Sequence, residues 1–169
     1  MSGEPLRLED LMRLFEAARW APSSGNGQPW RFAFARAGTD SFPRFFDLLM
    51  EGNRSWCKNA GVLVVVFSKM TSDNGRPSPT HSFDTGAAWM SLALQGAAQG
   101  LVVHGMAGFD YTRAATDLNI PADFRVEAMI AIGYPGDANQ LIEKDRAREV
   151  QSGRRPVSEF VVEGGFPAT

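Results

Sequence analysis

Two histidines, one cysteine, a pair of arginines and a dense run of small polar residues are the places where this chain could do chemistry. His81 and His104 lie far apart, and with Cys57 as the lone cysteine they make no metal-ligand spacing; no metal is expected and each histidine reads as structural. His81, Asp84 and one of several serines can be sketched as a triad, but a triad is defined by geometry that spacing does not supply. The chain has no Gly-x-x-x-x-Gly-Lys loop, no complete Gly-x-Gly-x-x-Gly and no Gly-x-Ser-x-Gly, so nucleotide hydrolysis and α/β-hydrolase chemistry lose ground. Two features are left. Arg154 and Arg155, before Pro156, offer guanidinium groups able to grip a phosphate or simply to sit in a solvated loop. Ser23, Ser24, Gly25, Asn26, Gly27 and Gln28, between Pro22 and Pro29, are too rich in chain breakers to be other than a loop.

The elements that must position these residues follow from periodicity. Leu8, Leu11, Met12, Phe15 and Ala18 recur at helical spacing, with Glu9 and Asp10 early and Arg19 late, as a helix dipole favours; Pro22 stops the helix. A strand is predicted over 30–36 and a short amphipathic helix over 42–50. Residues 61–67 are apolar on both faces and read as a central strand. After an exposed loop over 71–80, a long helix spans 83–99 and is closed by Gly100. Gly86 and Gly96 inside it each cost about 1 kcal/mol relative to Ala, which suggests that another backbone or a ligand packs closely there. A strand over 101–107, a helix over 111–118 and a strand over 126–133 follow, and then a polar stretch leads to β-prone residues at 158–162. Those must pair on their own sheet edge or cross to a second subunit.

Composition bounds the partners. The 169 residues suit one domain, 1–169, and 44% hydrophobic residues suffice for a core. A net charge of -2 gives no field for nucleic acid or an anionic membrane, so neither is expected as a partner. A lone cysteine and an N-terminus without a signal-peptide pattern fit a cytoplasmic protein.

The segment from Ala21 through Pro22, Ser23, Ser24, Gly25, Asn26, Gly27, Gln28, Pro29 and Trp30 to Phe32 closely resembles the Pro-Ser-Ser-x-Asn-x-Gln-Pro-Trp-x-Phe signature of the flavin-dependent nitroreductases. The likeness continues in order through Asn53, the Val-rich strand, Asp84-Thr85-Gly86, Gly105-Met106-Ala107-Gly108-Phe109-Asp110, Gly133-Tyr134-Pro135 and Gly153-Arg154-Arg155-Pro156, nearly the whole chain. The resemblance implies an α+β fold, an α/β/α sandwich with a mainly antiparallel sheet flanked by helices. It also implies a homodimer formed through long helices, with FMN in the interface clefts and hydride passing from NADH or NADPH through flavin to a nitroaromatic, quinone or similar small-molecule electron acceptor.

Position by position, Pro22, Ser23 and Ser24 match the loop at the isoalloxazine edge, with Asn26 and Gln28 bracing it. Asn53 matches a flavin-contacting asparagine, and Ala107 and Gly108 match the pair whose backbone approaches flavin N5. Arg154 matches the basic residue that pairs with the FMN phosphate, with Arg155 as its nearest substitute. The cofactor carries the chemistry, so no protein nucleophile is expected. Family members also carry an Arg-Ser-Arg phosphate-binding element just upstream of the part matching Ser2 to Pro5, where this sequence has only Met1. Losing two charged hydrogen bonds there would weaken FMN by ~3–6 kcal/mol. The rival reading is therefore a catalytically silent, flavin-poor member that serves as a dimeric binding or sensing scaffold.

Overall fold

Val62, Leu63, Val64, Val65 and Val66 are all buried, and the secondary structure is laid out to cover both faces of the strand that carries them. In the computed structural model, which describes residues 1–165, this strand is β2 (Val62–Lys69). It pairs antiparallel with β1 (Trp30–Arg36) on one side and β4 (Phe124–Gly133) on the other, and β3 (Val102–Met106) closes the far edge on β4. The order is β1-β2-β4-β3. Val62, Val64 and Val66 meet α1 (Leu8–Arg19) and α4 (His81–Ala98) through Leu11, Leu14, Ala88 and Leu92. Leu63 and Val65 pack on the opposite side with Phe45, Cys57 and Phe109, the side of α2 (Phe42–Phe46), α3 (Glu51–Cys57) and α5 (Tyr111–Asp117). Because both faces are covered, the strand reads as an unbroken apolar run rather than an alternation. The expected α+β sandwich with an antiparallel sheet is what forms.

Three local expectations are corrected. The helix over 42–50 ends at Phe46, because Leu49 is drawn into a bridge with Phe109 and Met50 N–H donates to Gly108 O at 3.0 Å. The helix α3 that follows was not anticipated; its apolar side chains are too few to show a period. At 158–162 the chain forms no strand but a 3-10 turn at Val157–Glu159.

Gly96 behaves as its position suggests: a Cβ there would run into Val103 Cγ2 of β3. Gly86 has nothing within 4 Å of an added Cβ and faces open space. Chain contacts divide the protein into Met1–Asp137, which holds the whole sheet, and Ala138–Thr169. Within the second unit the described residues form a 3-10 turn at Ala138–Gln140, α6 (Glu143–Arg146) and the turn at Val157–Glu159, and none is buried. Residues 166–169 of the expected domain lie outside the described residues. No helix among the described residues is long and apolar enough to cross a membrane.

Candidate functional site

The run from Pro22 to Gln28 is a strained loop held from both ends. Gly25, Asn26 and Gln28 take positive φ values of 56°, 55° and 45°, a conformation that costs little for Gly, is tolerated by Asn and is uncommon for Gln. Ser23 Oγ accepts the Gln28 N–H at 3.0 Å, and Gln28 Nε2 returns a bond to Asn26 O at 3.1 Å. The second anchor is distant in sequence: Ser24 N–H donates at 3.1 Å to Asp84 Oδ2, which also accepts the Thr80 hydroxyl at 3.0 Å. Asp84 is buried in the first turn of α4, so the helix start and the loop share one carboxylate. Pro22, Ser24 and Asn26 are exposed, Ser23 and Gln28 half-buried. Small polar residues held in such a conformation are the kind of strained backbone that clusters at ligand sites.

A second station forms where α3 meets the end of β3. Asn53 Nδ2 donates to Gly108 O at 2.9 Å, beside the bond from Met50 N–H to the same carbonyl. Phe109 N–H closes a three-residue turn onto Ala107 O at 3.0 Å. A Cβ on Gly108 would lie 2.7 Å from Asn53 Nδ2, so the absence of a side chain is what lets the asparagine reach the carbonyl. Cys57, one turn on in α3, is buried beneath, its Sγ 3.5 Å from Met106 Sδ; burial pushes the thiol up to about 12.

A cleft of about 470 Å³ opens under α4, against β3 and β4. Trp89, Met106, Ala107, Ile130 and Val66 give it apolar walls, Gly86 leaves open space, and Gly105 makes room for the Trp89 ring. Its polar groups are Ser82, Thr85 and Glu127. Thr85 Oγ1 is buried without a hydrogen-bond partner among the described residues. Ser68 and Glu127 were missed in the sequence, although a glutamate inside an apolar strand is a visible irregularity. The sketched triad does not form. His81 Nδ1 meets Ser68 Oγ at 2.7 Å, but the serine hydroxyl hydrogen goes to Glu127 Oε1 at 2.6 Å, and Asp84 is occupied by the loop. A serine lying between histidine and carboxylate, its hydrogen on the carboxylate, is not activated as a nucleophile.

The nitroreductase family's sequence profile matches residues 2–52, which include the whole serine loop. A solved structure described as an oxidoreductase containing FMN is 45% identical and superposes with a TM-score of 0.95, covering 99% of this chain and 87% of the other. The chain belongs to the nitroreductase family. A Desulfovibrio desulfuricans member of the structural set, solved in complex with FMN, is 27% identical at a TM-score of 0.72, covering 97% of this chain and 88% of that one. The 5,6-dimethylbenzimidazole synthase of Rhodospirillum rubrum is 28% identical, covering 85% of this chain and 79% of its own.

In this nitroreductase-family chain the structure brings Asn53 and Gly108 together and ties the Ser23–Ser24 loop to α4, and Ala107 lines the cleft under α4. The arginines belong to the second unit. Arg154 Nη1 donates to Ser152 O, Ser152 Oγ and Gly153 O at 3.1, 2.8 and 2.9 Å, all within its own loop, and Arg155 is exposed.

Proposed function

We propose that this protein is an FMN-dependent oxidoreductase that works as a homodimer and passes reducing equivalents from NADH or NADPH to a small acceptor such as a nitroaromatic or quinone. The observation that carries the reading is the apolar cleft under α4, lined by Gly86, Trp89, Met106 and Ala107, in a chain that also holds two independently anchored polar stations. These residues fit a flavin. Gly86 leaves open space for a flat ring, Gly105 lets the Trp89 indole lie against β3, and Trp89 and Met106 offer apolar surface for the ring. FMN, when bound, supplies the hydride chemistry.

The chain's own part is to bind and orient. The Ser23–Gln28 loop, fixed through Asp84, presents hydroxyl and amide groups without further ordering cost on binding. Asn53 holds the Gly108 carbonyl and thereby the plane of the peptide that follows Gly108, while Asn53 Oδ1 has no bond among the described residues and stays available to a donor on the ligand. Arg154 and Arg155 are the candidate phosphate partners. Support for the dimer comes from α4, where Phe83, Met90 and Leu94 are 82%, 53% and 59% exposed along one side, an apolar stripe of the kind that marks an interface.

The experiment is a visible absorption spectrum of the protein purified without added flavin, repeated after incubation with FMN and gel filtration. A retained flavin band, bleached anaerobically by NADH or NADPH, is the expected result, with parallel double-reciprocal plots against the acceptor. A folded dimer that retains no flavin in either sample would overturn the redox reading in favour of the silent scaffold.

A further inference from the structure

The register of β2 on β4 slips once: Val66 faces Ala128, Phe67 faces Val126, and Glu127 is the extra residue between them. Side chains alternate along a strand, so without this bulge Glu127 would share a face with Met129 and Ala131, which pack on the α3 and α5 side. The bulge turns it instead into the cleft under α4, beside Ala128 and Ile130. Val126, displaced in the other direction, packs with the opposite cluster.

Once there, the carboxylate is organised by its neighbours. Ser68 and Ser82 hydroxyls both donate to Oε1 at 2.6 Å, the short distance of bonds to a charged acceptor. With its hydrogen committed to Glu127, Ser68 Oγ must accept from His81 Nδ1–H, so the donors of this network all run toward the glutamate. Oε2 is different. Its nearest cationic neighbour is Arg125 Nε at 3.7 Å, beyond hydrogen-bond range, on a side chain 63% exposed, where an ion pair is screened by water. His81 Nδ1 stands 3.6 Å from Oε1. The cleft is thus lined by one fixed carboxylate, whose second oxygen has no hydrogen bond among the described residues and only a water-screened ion pair with Arg125, and by Trp89.

We propose that Glu127 makes this cleft a recognition site for organic cations, selecting flat aromatic molecules that carry a protonated amine or cationic ring nitrogen. An aromatic face together with a carboxylate in an apolar recess is the arrangement that compensates a desolvated cation. That such a cation is the electron acceptor rests on the flavin reading; that it binds does not.

Binding is therefore read first in the flavin-free full chain, by fluorescence titration with proflavine, a planar tricyclic cation, and with anthracene-2-sulfonate, an anion of similar size. The wild type is expected to bind proflavine more tightly than the sulfonate, with a preference that falls as salt is raised. E127Q keeps the shape and is expected to bind proflavine roughly ten- to a hundredfold more weakly, the worth of one hydrogen bond to a charged group. Equal proflavine affinity in wild type and E127Q would overturn the proposal. So would a wild type that binds the sulfonate as tightly as the cation, a comparison that needs no variant to fold. In FMN-loaded protein the acceptors are 4-nitrobenzylamine and 4-nitrobenzoate, and E127Q is expected to raise KM for the amine about tenfold with kcat little changed. Proflavine binding by a protein that takes up no FMN would leave this site standing and the flavin reading fallen; a flavin-loaded protein with no cation preference would do the reverse.

Discussion

The Asn53–Gly108 corner and the Arg154–Arg155 segment are both proposed as cofactor contacts, yet they are built in opposite ways. At the corner, a side chain of α3 reaches the backbone at the end of β3, over 55 residues of sequence, and a buried core lies directly beneath. At the arginines, every bond that Arg154 makes stays within its own three residues, and no residue of the segment is buried. A contact that is preorganised costs no ordering on binding, whereas one that must be drawn from solvent gives up side-chain freedom of about 0.5–1.5 kcal/mol. A group bound at the corner would then meet finished geometry, and one bound by the arginines would meet geometry still to be made.

The largest effect should come from the anchor that the serine loop shares with α4. Asp84→Ala strands the Ser24 N–H and the Thr80 hydroxyl, and with bonds to charged acceptors contributing roughly 1.5–3 kcal/mol each, a loss of about 3 kcal/mol is expected in urea unfolding. Hydrogen exchange at Ser24 should accelerate in step. An unchanged midpoint would mean the loop is not preorganised. The arginines should behave in the contrary way: the double substitution of Arg154 and Arg155 by Ala is expected to weaken FMN roughly ten- to a hundredfold while leaving the unfolding midpoint in place. A shift in stability without a shift in flavin affinity would reverse the assignment of that segment.

How far the sequence could be read follows the same division. The strand through Val62 to Val66, the long helix and the serine loop were legible because local composition alone specifies a buried strand, a capped helix and a turn. The short α3 was not, and the helix over 42–50 was drawn too long, because both are decided by the pull of Gly108 O on Met50 and Asn53. Asp84 was visible as part of a motif, but its double role depends on Thr80 and Ser24 meeting it in space. Glu127 shows the limit most clearly. Strand alternation puts it on the wrong face, and only a bulge defined by the pairing of two distant strands brings it into the cleft. The residues at 158–162 do not pair on their own sheet edge, because β-prone residues make a strand only where an edge is offered, and a second subunit remains the other edge the sequence allows.

Gly108 offers a sharper test of the corner. A methyl group there meets Asn53 Nδ2 at 2.7 Å, against an amide fixed at its other end, so Gly108→Ala is expected to cost about 1–3 kcal/mol and to lower flavin retention. Rescue of retention by adding Asn53→Ala, which removes the obstructing amide, would show that the clash rather than backbone strain is responsible. Additive losses in the pair would place the fault elsewhere.

The smallest effect probes whether the corner is closed before any ligand arrives. Cys57 is raised by burial from an ordinary value near 9 to about 12, so in the folded, flavin-free protein its thiol should resist iodoacetamide at pH 8 and react only as the chain opens. The same shift sets the direction of a stability change. Between pH 9 and 12 the unfolded chain releases this proton and the folded one keeps it, so the contribution of the buried thiol to stability is present below that window and is lost as pH rises through it. Gly108→Ala should speed alkylation at pH 8, because the clash with Asn53 is transmitted to α3, the helix that also carries the buried Cys57. Fast labelling of the wild type without flavin would mean that the corner, like the arginine segment, is assembled only on binding, and the contrast between them would collapse.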